Sequence, residues 1–325
     1  MLKNKCVFII PYFGKFPNYF NLFLKTCGLN PEFNWIIFTD DKTEYNYPSN
    51  VKVYFMNFEE LKELVNSKFD FKVNLASPYK LCDYKPAYGY IFEEYITDYN
   101  YWGHCDVDLL FGNLSNFISD DLLEKYDKLF CLGHLILYKN THLNNRMFMT
   151  KINDEYWYKS SFTTDKITIF DETYGGNRNI NTIFLSQNKK VLEKDYSANF
   201  VTSKSGFELV TYNADEGRYI HDNNFCLFTW EKGNVFGYKK NPEYEKREFM
   251  YIHLQERKMK YSDMILNSDE FKIVPNRFVN LEKKPDSENL SSIRTKYVNF
   301  HLLQFHYKWK KRALIRLIKG MSKKK

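Results

Sequence analysis

The sequence predicts an α/β protein: a mostly parallel, Rossmann-like sheet flanked by helices, followed by a basic amphipathic helical tail. Three observations predict it. Short continuous apolar runs recur, as at 6–10, 35–38 and 128–138, with turn or polar residues at their ends, as buried parallel strands do. Between them lie stretches of helical spacing, such as Tyr19, Phe20, Phe23 and Leu24. The charge is also unevenly placed. From Arg294 onward there are 11 Lys and Arg and no Asp or Glu; removing those 11 from the total of 47 leaves 36 basic against 40 acidic residues, a net of −4.

The chain has 325 residues, 44% of them hydrophobic, enough for one large domain or two smaller ones, and this excludes a globally disordered chain. Aromatic content is 18%, with 26 Tyr and 29 Phe, as core packing and sugar-stacking surfaces both allow. Six cysteines form no CxxC pair and no Cys/His cluster of zinc spacing. The apolar run before Pro11 is too short for a signal-peptide core, and no segment approaches a membrane span. A cytoplasmic location is the expectation.

Taken in order, Cys6 to Ile10 reads as a buried strand ending at Pro11-Tyr12-Phe13-Gly14. A helix over 18–27 follows, then a strand at 35–38 stopped by Thr39-Asp40-Asp41, a strand at 51–55 and a helix at 58–66. Ligands of such sheets bind beyond the carboxyl ends of the strands, so the 11–14 and 39–41 turns are candidate site loops. Asp40 suits a ribose or base edge, or equally a cap. Lys80, Asp83 and Lys85 precede Pro86, which is placed to open a helix; two lysines there suit a diphosphate partner or a solvated turn.

Next comes Tyr101-Trp102-Gly103-His104-Cys105-Asp106-Val107-Asp108, a buried strand opening into a turn. Residues at i and i+2 share a face, so Asp106 and Asp108 can aim two carboxylates at one point. Carboxylates among aromatic and aliphatic neighbours need a partner, and a hard divalent cation is a good one. Residues 128–138 read as one strand interrupted by Gly133-His134, where glycine marks a close approach. Residues 139–165 are helical in part. Asp171-Glu172 before Gly175-Gly176 reads as an exposed acidic loop, placed to grip sugar hydroxyls or to do acid/base work. A hairpin is expected around Lys232-Gly233-Asn234. The last buried strand of the body, 249–254, carries His253, with Arg257 and Lys258 beyond it.

Taken together, these motifs resemble a GT-A glycosyltransferase. More closely, they resemble an uncharacterised family of bacterial capsule- and surface-polysaccharide proteins bearing Cys-Asp-x-Asp-x-x-x-Gly. They are more distantly similar to the retaining galactosyl- and glucosyltransferases of family 8. The resemblance covers roughly residues 4–260 and is most specific at Trp102–Gly112 and Tyr79–Pro86. It implies a UDP-sugar donor with Mn or Mg on its diphosphate, and a hexose passed to a lipid-linked glycan. It implies metal ligands at Asp106, Asp108 and His253. Donor contacts are implied at Pro11, Tyr12, Phe13, Asp40, Lys80, Asp83, Lys85, Asp106, Val107, Gly133, His134 and Lys258. The Pro-Trp that follows the phosphate-binding lysine in family 8 is missing, so Arg257 or Lys258 takes that part. Asp171 and Glu172 are the catalytic candidates on the acceptor side. Residues 1–268 form the catalytic domain, with a nucleotide-sugar half over about 1–112 and an acceptor half over about 113–268.

Residues 269–293 read as a polar linker and 294–325 as the tail. In a helix from Val298 to Lys319, Lys308, Arg312, Arg316 and Lys319 share one face and Phe300, Leu303, Tyr307, Leu314 and Ile318 the other. Such a helix suits an anionic membrane surface, and nothing that reads bases accompanies it. Two other readings stay open: a nucleotidyl or sugar-phosphate transferase on a similar sheet, and a non-catalytic sugar-binding protein.

Overall fold

The structure, a computed structural model, describes residues 5–204, 206–240, 243–255, 257–297 and 300–322. It divides into two compact units. Met1–Phe16, Phe23–Val107 and Leu114–Asp195 make the first; Pro17–Leu22, Asp108–Asn113 and Tyr196–Lys325 make the second. In chain order the strands are β1 (Cys6–Pro11), β2 (Phe33–Thr39), β3 (Val51–Phe55), β4 (Tyr101–Cys105), β5 (Leu109–Phe111), β6 (Lys128–Leu129), β7 (Leu135–Lys139) and β8 (Val191–Leu192). Then follow β9 (Ser197–Ala198), β10 (Leu209–Asn213), β11 (Arg218–Asp222), β12 (Phe225–Glu231), β13 (Asn234–Lys239), β14 (Glu245–Phe249), β15 (Tyr251–His253), β16 (Glu270–Val274) and β17 (Arg277–Asn280).

The first unit is built on a sheet of order β3-β2-β1-β4-β7-β6-β8. β1 is parallel to both β2 and β4 and lies between them. Both faces of β1 are covered, which is why Cys6–Ile10 is apolar without alternation. Val7, Ile9, Ile36, Phe38, Trp102 and Ile136 share one core with Leu61 and Val65. The last two belong to the helix Phe58–Ser67, whose start is fixed by a capping box between Asn57 and Glu60. Full burial of side chains such as Leu61 and Val65 contributes roughly 1.5–3 kcal/mol each.

Residues 128–138 form not one strand but two, β6 and β7, antiparallel and joined by a turn that Phe130 enters at φ 71°. In this turn the Gly133 carbonyl accepts from Lys85 and the His134 carbonyl from the Asp106 N–H. Pro86 does not open a long helix. It lies near the end of a 3-10 run, Pro78–Ala87, followed by the short helix Tyr88–Ile91.

The second unit holds an antiparallel sheet of order β14-β13-β12-β16-β17, a β5-β15-β9 sheet and the β10-β11 hairpin. β12 and β13 are joined through Lys232 and Gly233, both at positive φ, a two-residue turn that matches strand twist. Its core gathers Leu110, Phe228, Trp230, Ile252 and Phe271, and the Trp230 indole N–H donates to the Phe111 carbonyl at 3.0 Å. Residues 269–293 are no linker. They supply β16 and β17, because Phe271 and Ile273 alternate with Lys272 and bury one face of the strand. A helix spans Phe300–Ser322. Phe300, Leu303, Tyr307, Leu314, Ile315, Leu317 and Ile318 are exposed on it, and Phe305 is buried. Val298 and the basic residues Lys323, Lys324 and Lys325 lie outside the described residues. Among the described residues no helix is long and apolar enough to cross a membrane.

Candidate functional site

In the first unit the site grows from the carboxyl end of β4. Asp106 follows directly, and its backbone N–H donates to the His134 carbonyl at 3.0 Å. Lys85 reaches the same point from the 3-10 run. Its ammonium lies 2.7 Å from Asp106 Oδ1, 2.9 Å from the Gly133 carbonyl and 3.6 Å from Asp171 Oδ2. Burial alone would lower the Lys85 pKa, but Asp106 and Asp171 outweigh it and raise it well above its ordinary value. Asp171 was expected in an exposed loop; it is 4% exposed instead. Burial pushes its carboxyl up to about 8, helped by Glu172 and Asp106 and opposed by Lys85.

Gly133 explains how an acid comes to be buried there. A Cβ at Gly133 would stand 2.5 Å from Asp171 Oδ2, so only glycine leaves the carboxylate room. The Gly133 N–H donates to Glu172 Oε2 at 2.9 Å, which commits Glu172 to holding the turn. Behind the site His104 is fully buried, and burial with Lys85 nearby holds its pKa well below the usual range, so it stays neutral.

In the second unit Asp108 and His253 are brought together by the β5–β15 pairing. The Leu254 N–H donates to the Asp108 carbonyl at 3.0 Å, and His253 Nε2 lies 3.4 Å from Asp108 Oδ1. Asp108 Oδ1 is buried and accepts no hydrogen bond among the described residues. The other ring nitrogen of His253 faces Asn199 Oδ1 at 3.1 Å. That oxygen also accepts from the Gln255 side-chain amide and the Phe200 N–H. A carbonyl oxygen can only accept, so this contact places the His253 proton on Nδ1 and leaves Nε2 as a lone-pair donor. Asn199 and Gln255 were not foreseen; an amide in a polar stretch gives no signal in a sequence.

The other expected donor residues separate into distinct environments. Asp40 is exposed and accepts from the Gly14 N–H at 2.7 Å, tying the two strand-end turns together. Tyr12 stacks on Phe16 with ring centres 4.8 Å apart. Pro11 closes β1 half-buried, while Phe13 packs on Phe58 and Val107 is buried, so these two serve the core. His134 is buried and contributes its carbonyl.

Lys80 and Asp83 correct the expectation of diphosphate contacts. They pair with each other at 2.6 Å inside the unit, with side chains 1% and 0% exposed. Lys80 also donates to the Lys166 carbonyl, and Asp83 accepts from the Thr168 and Phe170 N–H groups. Arg257 is likewise occupied, donating to the Lys204 and Gly206 carbonyls between the Phe207 and Phe305 rings. Lys258 is exposed. The neighbouring Asp41, passed over in the sequence, is buried and holds Lys15 at 2.7 Å together with Thr43 and the Phe16 N–H.

A mixed α/β fold with a parallel-rich sheet and an acidic site beyond a central strand sets the class. The chain belongs to a family described as "Family of unknown function (DUF6625)", which it matches over residues 8–282. No curated protein matches it in sequence. Among solved structures it is similar to the galactosyltransferase LgtC in complex with donor and acceptor sugar analogues. That similarity has 12% identity and a TM-score of 0.31, over 60% of this chain and 74% of that one. It is similar also to mouse xyloside xylosyltransferase 1 in its apo form, with 9% identity and a TM-score of 0.32, over 60% of this chain and 88% of that one.

Proposed function

We propose that the protein is a metal-dependent glycosyltransferase that moves a hexose, galactose or glucose, from a UDP-sugar to a lipid-linked surface-polysaccharide intermediate. The observation that carries this reading is Asp108 Oδ1: buried, without a hydrogen-bond donor among the described residues, and facing the Nε2 of a histidine whose other nitrogen is pinned. A carboxylate and an oriented imidazole are a cation's ligands with their supporting groups in place. Asp106, Asp108 and His253 each offer one ligand atom, and the donor set suits Mn or Mg. When bound, the cation supplies Lewis-acid stabilisation of a diphosphate leaving group.

The chain's own residues do the rest. Lys85 holds Asp106 and Asp171 in place and keeps positive charge beside them. Asp171, with its carboxyl near neutrality in pKa, can give a proton to a sugar hydroxyl's oxygen or take one from it. Glu172 fixes the turn that makes room for Asp171. Tyr12 and Asp40 stand at the strand ends where a nucleoside would lie. Transfer with retention follows from the resemblance to family 8, and the anomeric configuration of the product tests it. The exposed apolar and basic side chains of the C-terminal helix support attachment to the inner, anionic face of the cell membrane, where a lipid-linked acceptor would lie.

The test is nucleotide-sugar hydrolysis and binding with Mn across UDP-, GDP- and CMP-sugars, for the wild type, Asp108→Ala and His253→Ala. The expected outcome is slow UDP release from one sugar, with Mn affinity lowered at least about 100-fold by either substitution, beyond what loss of a supporting group costs. Absence of binding to every nucleotide-sugar sinks the reading.

A further inference from the structure

Three cationic side chains of the second unit surround one aromatic ring. The Lys272 ammonium and the Arg277 and Arg294 guanidinium groups lie 5.8, 5.3 and 4.5 Å from the centre of the Tyr297 ring. β16 and β17 supply the first two, with Lys272 opposite Val279 and Val274 opposite Arg277. Arg294 and Tyr297 come from the segment leading to the helix Phe300–Ser322. Phe271 and Ile273 face the core, so Lys272 projects from the other face of the sheet, where it is only 3% exposed.

None of the three forms an ion pair with a carboxylate among the described residues. Arg277 Nε is buried and has no acceptor there, and Arg294 Nε has only the Lys296 carbonyl at 3.4 Å. The acids on the same face are already engaged, Glu231 by Thr229, Tyr238 and Lys246 and Glu270 by Lys284. Three like charges drawn together repel, and one ring's quadrupole does not neutralise them. A tetrahedral oxyanion would, and its oxygens match the planar fork of two guanidinium groups.

We propose that Lys272, Arg277 and Arg294 form a phosphate-binding site beside Tyr297, for a phosphate monoester or diester such as a lipid headgroup. The site does not depend on the transfer reaction proposed above. Its lipid form deepens the membrane reading by naming the headgroup chemistry.

The test uses the full chain in EDTA, so that divalent cations are out of play. Inorganic phosphate is titrated while Tm and phosphorus-NMR line width are followed. Vesicles of phosphatidylglycerol with phosphatidylcholine are then compared with phosphatidylcholine alone. The expected result is a Tm gain and line broadening in the wild type, lost in Arg277→Gln/Arg294→Gln and weakened but not lost in Arg277→Lys/Arg294→Lys, which keeps the charge and loses the fork. Binding to the anionic vesicles falls about 30-fold in the Gln pair, about fivefold per charge removed. If the Gln pair fails to fold, Arg294→Gln alone, at an exposed position, reads the same loss. A phosphate response lost in the Gln pair with vesicle binding unchanged supports the site and assigns it to a soluble phosphate ester. No response to phosphate in the wild type, or one that the Gln pair keeps, overturns it.

Discussion

Two lysines five positions apart on one 3-10 run have opposite fates. Lys80 is sealed: its single carboxylate partner, Asp83, is as buried as it is, and backbone groups of 166–170 take up what remains of both. Lys85 is shared. It bridges two acids, one of them a third exposed, and also donates to the carbonyl of Gly133, whose lack of a side chain leaves room for Asp171. The first arrangement closes a fold and leaves nothing over. The second holds unbalanced groups at a strand end, where a substrate can compete for them. Burial and the number of partners, not charge or spacing, separate the lysine that closes the fold from the one proposed to serve the site.

That contrast can be broken by substitution. Lys80→Met leaves Asp83 as an uncompensated buried charge and should cost about 3–5 kcal/mol, read by urea melts. Nucleotide-sugar affinity per folded molecule should stay unchanged; a loss of affinity with stability intact would reverse the two assignments. Lys85→Met should cost less, about 2 kcal/mol, because Asp171 can keep its proton, while transfer falls about 100-fold. Gly133→Ala forces the Asp171 carboxylate to move and should cost about 1–3 kcal/mol, with kcat reduced more than the melting midpoint suggests.

The smallest effect is expected at Asp41, another sealed acid. Burial would raise its carboxyl, but Lys15, Thr43 and the Phe16 N–H together lower it to about 2, from 3.8. A lowered carboxylate stabilises the fold above its unfolded value and loses that contribution as the pH falls through its folded one. The stability gap between wild type and Asp41→Asn should therefore be full above pH 3.8 and vanish near pH 2 in melts across a pH series.

The first unit was the more legible in sequence. β1, β2 and β4 are buried on both faces or nearly so, and continuous apolar runs announce them, whereas the edge strand β3 exposes Lys52, Tyr54 and Phe55. Asp106 and Asp108 stood out because acids are rare beside such runs. His253 was visible as a strand-end histidine, yet its pairing with Asp108 rests on β5 meeting β15, which no local pattern encodes. Asp171 was misread because its burial depends on an absent side chain at Gly133, far away in the chain. β16 was misread because Glu270, Lys272 and the turn residues around it look solvated, whereas only its second face is polar. Lys80 and Lys85 share composition and spacing; only the 166–170 segment tells them apart.

The second unit is assembled from three separated stretches, and this shapes how the protein can be made. β5 is synthesised early, but its partner β15 emerges some 145 residues later, so Asp108 waits for His253 through about 7–30 s of translation. During that interval β5 is an apolar strand without a neighbour. A nascent chain stopped before residue 253 could complete the mixed sheet of the first unit and still own only part of the proposed cation site. Metal affinity should thus appear late and abruptly along a series of ribosome-stalled lengths, long after protease resistance has spread over the first unit.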